Sequence, residues 1–249
     1  MSRRRVLGPA ALVGLVLTLP MALLVAPPDA VQGEAQRWMY LHVPAAWAAY
    51  ACFAVVLVAS LQVLRTGAVE RALTARSAAE VGLVLTVLTL LTGSVWGRFT
   101  WGVWWAWDAR ILTTLALGLV YAAYLALVHL APRRPRVPAA LGVAGFLMVP
   151  VVHMSVVWWR TLHQPPTILA PEAGLPIDPV MGATLALAVL TMSLAAAWAV
   201  LARLSTLDRT RRRSRQDTPR TSTGHVRPSD RTRDDLPVAT TKAQELVER

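Results

Sequence analysis

Six stretches of this chain stay apolar for close to 20 residues each, and that length decides the fold class. A helix rises about 1.5 Å per residue, so about 20 residues cross the roughly 30 Å of bilayer hydrocarbon. The runs lie at about Val6–Ala26, Pro44–Leu64, Ala79–Trp96, Ile111–Ala131, Pro138–Val157 and Val180–Arg203. In hydrocarbon every backbone amide needs an internal partner, which helices supply. The pattern therefore predicts an all-α polytopic membrane protein with six transmembrane helices. Pro44 and Pro138 suit a first helical turn, where a missing N–H costs nothing. Pro132 and Pro135 stop the fourth span, and Pro20 and Pro150 should kink the spans that hold them.

Charge follows the same plan. Only 16% of the 249 residues are charged, against roughly 25% in soluble domains. The net charge of +11 could suggest nucleic acid, but the arginines fall in short loops and in the polar end of the chain, so no nucleic-acid role is expected. Ser2-Arg3-Arg4-Arg5 resembles a twin-arginine export signal. The apolar run behind it is too long for a signal peptide, and it reads instead as the flank of an uncleaved first helix. Cys52 is the only cysteine. It allows no internal disulfide and no covalent haem attachment site.

With the N-terminus inside, the inner loops carry nine arginines: Arg3, Arg4, Arg5, Arg65, Arg71, Arg76, Arg133, Arg134 and Arg136. The outer loops carry four: Arg37, Arg98, Arg110 and Arg160. The positive-inside rule selects that orientation, with both termini cytoplasmic. Residues 1–207 read as the membrane domain. Residues 208–249 read as a disordered basic cytoplasmic tail whose stretch Arg209–Arg215 could lie on anionic lipid.

This orientation separates the tryptophans. Trp38, Trp47, Trp96, Trp101, Trp104, Trp105, Trp107, Trp158 and Trp159 fall at the outer face, and Trp198 alone lies toward the inner one. An interfacial aromatic belt would occupy both faces. If the central segment Trp101–Arg110 is helical, Trp101, Trp104, Trp105 and Asp108 share one face. Such an aromatic shelf suits a large planar apolar ligand. Haem is the obvious candidate, bound without covalent attachment as haem b.

Haem iron takes neutral imidazole as an axial ligand. Of the five histidines, His225 lies in the tail and His129 at the inner end of its span. His42 and His153 sit at matching depth near the outer face, on different spans, and His163 follows in the last outer loop. His42 and His153 are the expected iron ligands, with Met154 an alternative to the latter. Arginine forks bind carboxylates, so Arg37 and Arg110 are candidates for the two propionates.

Trp96-Gly97 followed by Trp101-Gly102-x-Trp104-Trp105-x-Trp107-Asp108-x-Arg110 resembles the signature of the WWD-domain haem-handling family of cytochrome c maturation. Within it, the chain is similar to the haem exporter protein C (CcmC) family. Met39–Trp47 and His153–Gln164 resemble that family's two histidine regions, and the likeness covers roughly residues 30 to 200. It implies that His42 and His153 are the axial positions and that the loop at 96–110 is the haem platform. It also implies that Arg37, Trp96, Trp101 and Arg110 act on haem or partners. Such a protein would sit in the plasma (inner) membrane and pass haem to a CcmE-like chaperone, in an ABC-type complex with CcmA-, CcmB- and CcmD-like subunits. The polar end after Leu207 departs from the pattern.

Three function classes compete. A non-enzymatic carrier that presents haem at the outer face leads. A b-type cytochrome electron-transfer subunit usually needs histidines at two depths, and these lie at one. A haem permease should carry polar groups or broken helices near mid-span, and these spans are almost free of charge.

Overall fold

The computed structural model describes residues 2–163 and 177–217. Contacts divide the chain into two units, Met1–Arg212 and Arg213–Arg249. The described residues form helices α1 (Ser2–Pro20), α2 (Met39–Thr66), α3 (Val69–Trp101), α4 (Ala109–Leu130), α5 (Arg136–Phe146), α6 (Met148–Trp158) and α7 (Pro179–Asp217). No strand occurs among them beyond an isolated bridge between Asp29 and Gly33. Six segments are long and apolar enough to cross a membrane: Arg3–Val25, Glu34–Thr66, Val69–Trp101, Ala109–Leu130, Arg136–Trp158 and Pro179–Ser214. The chain is an all-α multi-pass membrane protein, as the apolar runs predict.

Two prolines act as the sequence suggests. Pro20 withholds the N–H that the Val16 carbonyl would accept, and the chain runs on as a π turn over Met21–Val25, with Ala26 N donating to Met21 O at 2.8 Å. Pro150 withholds a donor from Phe146 O, and the fifth span breaks there into α5 and α6 with Leu147 between them. Pro44 differs from expectation. The helix starts before it, led in by a 3-10 turn over Glu34–Trp38, so Pro44 and His42 both lie inside α2.

The helices are longer than the apolar runs because their polar ends find partners. Gly67, in the left-handed region at φ +69, ends α2 with its N–H on Val63 O, and α3 begins two residues later. That tight turn makes α2 and α3 an antiparallel hairpin, the most extensive pairing in the bundle. Buried small residues line both helices, Ala45, Ala48, Ala49 and Ala59 on α2 and Ala75, Ala78 and Ala79 on α3, and Gly82 of α3 lies against Cys52 and Phe53. Lipid is as apolar as leucine, so close backbone approach replaces the hydrophobic effect as the source of packing energy. Phe53 uses the room that Gly82 leaves and stacks on Tyr121 of α4, with ring centroids 3.7 Å apart and planes at 7°.

Charges gather at the end opposite the tryptophan loop. Glu80 of α3 holds Arg76 at 2.9 Å and pairs with Arg203 of α7. Arg211 reaches Glu70 at 3.0 Å. α7 itself runs to Asp217, past Leu207, the last residue of the expected membrane domain. Residues 218–249 of that expected tail lie outside the described residues. Near the same end Trp198 packs on Gly8 of α1, and toward the middle Thr18 and Thr191 join α1 to α7 through their hydroxyls at 3.2 Å.

A side chain at position 82 would meet Phe53 within 2.7 Å. Gly82→Leu should therefore cost about 1–3 kcal/mol through overpacking. The expected result is a lower thermal midpoint of the detergent-purified protein, with the α2–α3 seam the first part to exchange its amides.

Candidate functional site

The segment between α3 and α4 is not helical. Gly102, at φ +76, ends α3, and Asp108 caps α4 by accepting Ile111 N at 2.9 Å. The expectation of a one-faced helical shelf at 101–110 is thus corrected. A left-handed glycine at one end and a strong N-cap at the other leave a short connecting loop. Trp101 closes α3, and its ring folds back over Gly97, where a Cβ would lie 3.0 Å from it. Trp104 and Trp107 stand 61% and 76% exposed, while Trp105 turns inward. The indole Nε1 of Trp105 is buried and has no hydrogen-bond partner among the described residues. A buried donor left unmatched is costly, and it marks a place where an acceptor fits.

Trp105 covers a cavity between α2, α3 and α4 that is also lined by His42, Tyr50, Gly93, Arg110 and His163. Its enclosed volume is about 70 Å³. Ligand pockets commonly run to about 300–1,000 Å³, so this space is far smaller than one that holds a macrocycle.

Three groups hold His42. Its ring lies over Gly93, where a Cβ would come within 2.8 Å. Trp96 meets it edge-on at 5.6 Å and is itself fixed by donating Nε1–H to Gln32 Oε1 at 2.8 Å. Nδ1 lies 3.2 Å from Thr92 Oγ1. The Thr92 hydroxyl donates to Leu88 O at 2.8 Å, so it accepts from Nδ1–H. That assigns the tautomer and leaves the lone pair on Nε2.

His163 repeats the arrangement from the far side of the loop. Its Nδ1 lies 2.9 Å from Asp108 Oδ2, and the same oxygen accepts Leu162 N at 3.3 Å. Trp101 packs against the ring at 4.9 Å. A carboxylate on Nδ1–H orients an imidazole and makes Nε2 the ligating nitrogen. Burial pushes the His163 pKa below its usual value. The Asp108 hydrogen bond and charge oppose that shift, and Arg110 adds to it. The ring is therefore neutral at pH 7.

The remaining expected residues are distributed differently. His153 does not line this cavity. Its ring meets Trp47 at 5.9 Å, and its carbonyl accepts Arg110 Nη2 at 3.1 Å. Arg110 also donates Nε–H to Ser155 Oγ at 3.1 Å, which ties α4 to α6 beside the cavity. Arg37 lies elsewhere. It pairs with Glu34 and donates to the Ala22 and Ala26 carbonyls, bracing the end of the first span. The structure thus brings together His42, Trp96, Trp101, Trp105, Asp108 and Arg110. It adds Thr92, Gly93 and His163, which spacing did not single out. The nearest signal for His163 is its place shortly after the fifth span, behind Trp158 and Trp159.

Residues 2–219 match the family model described as "Heme exporter protein C". The chain is 40% identical over 148 residues to "Heme exporter protein C" of Bradyrhizobium diazoefficiens, covering 58% of this chain and 56% of that protein. It is 36% identical over 185 residues to "Heme exporter protein C" of Escherichia coli K12, covering 73% and 74%. A "putative cytochrome c biosynthesis ccmC-like mitochondrial protein" of Marchantia polymorpha is 35% identical over 152 residues, covering 61% and 65%. The chain therefore spans little more than half the length of the first of these relatives.

The His163–Asp108 pair gives a pH prediction. With its folded midpoint below the unfolded value of 6.5, the unfolded chain takes the proton first. The contribution of this group to stability is then complete above about pH 6.5 and is lost as pH falls toward the folded midpoint. Asp108→Asn removes the effects that oppose the shift. The ring resonances of His163, followed by NMR, should then titrate at still lower pH. A midpoint that rises instead would contradict the assigned contact.

Proposed function

The chain belongs to the haem exporter protein C family, and on that premise we propose that it holds haem at its tryptophan-rich face for transfer to a haem chaperone of the CcmE kind. The observation that carries this reading is the pairing of His42 and His163 around one cavity. Each is anchored through Nδ1, each keeps its Nε2 lone pair, and both stand under an inward-turned tryptophan. Haem is the cargo, held without covalent attachment as haem b, and its iron takes two neutral imidazoles. Trp96 and Trp101 fix the two rings, the exposed Trp104 and Trp107 stack on the porphyrin face, and Trp105 offers an N–H to its edge. Arg110 and Arg37 are the cations proposed for the propionates or for partner contact. Arg110 is the better placed of the two.

The protein acts as a carrier with no catalytic residue, in the cytoplasmic (inner) membrane. Both termini face the cytoplasm and the loop faces outward, in the orientation that the arginine distribution favours. Its complex contains an ATPase and membrane subunits like CcmA, CcmB and CcmD. A second reading of the iron site keeps His153 as the partner of His42. It is favoured by the contact of His153 with Trp47 and by the grip of Arg110 on its carbonyl. The b-type cytochrome and the permease remain weaker readings, because the paired histidines lie at one depth and the spans carry few charges.

Purified full-length protein should carry haem with a six-coordinate b-type spectrum. His42→Ala and His163→Ala should each convert it to a five-coordinate or haem-free form, while His153→Ala leaves the spectrum close to that of the parent. The reverse ranking of His153 and His163 would move the second ligand to His153. Unchanged spectra in all three variants would end the histidine-ligation reading.

A further inference from the structure

At the end of the bundle opposite the tryptophan loop, α1, α3 and α7 line an open groove of about 580 Å³. Its floor is apolar, made by Leu73, Leu201 and Leu204, and its rim is charged. The two carboxylates on the rim are already occupied. Glu70 takes Arg211 at 3.0 Å and Asp208 takes Arg212 at 2.9 Å. Arg3 and Arg4 make no ion pair among the described residues. Arg4 donates through Nη1 to Ser205 Oγ at 2.6 Å, yet its Nε is buried with no hydrogen-bond partner among the described residues. A guanidinium donor buried and unmatched beside an apolar floor is costly in the empty state. An anionic oxygen would match it.

We propose that this groove binds the phosphate of an anionic phospholipid, with the diester on Arg4 and Arg3 and an acyl chain on the leucine floor. Several features fit a lipid better than a soluble anion. The groove lies where the spans Arg3–Val25, Val69–Trp101 and Pro179–Ser214 reach their charged ends, the part of a span that a bilayer holds at its headgroups. Its lining joins guanidinium to leucine, which matches the junction of phosphate and acyl chain. Basic pockets between helices at this level are a recurring mode of acidic-lipid recognition. The consequence is a seam in which lipid completes the contact of α1 with α7. α1 is the span least covered by protein, at 11% buried. The triple arginine after Ser2 then has a role beyond topology.

The test uses the full-length protein in mild detergent, equilibrated with equimolar phosphatidylglycerol and phosphatidylethanolamine. Retained lipid is counted by native mass spectrometry. The parent should retain phosphatidylglycerol over phosphatidylethanolamine by about thirtyfold, the scale expected for two arginines at a headgroup. Arg3→Gln/Arg4→Gln should bring that ratio close to one. Leu204→Trp fills the floor without touching a charge and should do the same. It decides the matter if the double variant does not give a single gel-filtration peak. No preference in the parent, or a full preference retained in Leu204→Trp, overturns the proposal. Loss of the preference in millimolar inorganic phosphate at constant ionic strength would assign the site to free phosphate and overturn the lipid.

Discussion

Hydrocarbon offers no partner to a backbone amide, and that one constraint arranges everything else in this chain. Each span must remain helical until it leaves the apolar layer, so irregular backbone is pushed to the two ends of the bundle. The exceptions have local causes. Pro20 and Pro150 each remove one donor, and the chain answers with a π turn in one case and a break at Leu147 in the other. The hydroxyls inside the spans follow the same rule. Thr86, Thr89 and Thr92 donate in turn to Gly82 O, Leu85 O and Leu88 O along one helix. The last of them has an acceptor to spare, and His42 uses it. The tautomer of a candidate ligand is thus set by a residue whose first task is to satisfy itself in the membrane.

Asp108 does the corresponding work in the loop. One carboxylate oxygen ends the loop by capping α4 and the other holds His163 and Leu162. Two segments 55 positions apart in sequence are joined through a side chain that is only 8% exposed. Arg110, two residues later, ties α4 to α6 through Ser155 and the His153 carbonyl. The polar pair of the motif therefore shapes the site from beneath, and the tryptophans form its surface. A charged pair that only decorated the surface would be screened and weak. Placed at a helix start and against a neighbouring helix, it sets geometry.

The spans were legible because their signal is one of length and composition, which needs no partner. The kinks were legible because proline acts on its own backbone. His42 could be singled out because it stands at the head of an apolar run, at the same depth as His153 and beside the tryptophans. His163 could not. Its importance comes from Asp108 and Trp101, and nothing in the spacing of Trp158 to His163 shows which way that loop folds. The helical reading of Trp101–Arg110 failed for a related reason. Periodicity describes a helix only while the chain remains one, and Gly102 is free to leave it at positive φ. The length of α7 was underestimated because its last turns rest on pairs with Glu70 and Asp208 and not on apolar residues.

The two ends of the bundle also differ in kind. At one end the carboxylates are all matched, with Glu80 between Arg76 and Arg203 and with Glu70 and Asp208 taking Arg211 and Arg212, and the Arg4 Nε is the buried donor left over. At the other, aromatic area is left uncovered and indole is left unpaired. Matched charges resist rearrangement, because separating a partly buried pair leaves each member desolvated. Exposed tryptophan beside an unmatched donor has the opposite character, since its partner is not built into the fold and one covering surface can be exchanged for another. The carrier role proposed above would need both: a rigid base, and a face whose contacts can be exchanged for those of another protein. The cavity behind Trp105, small and walled by α2, α3 and α4, fits that division.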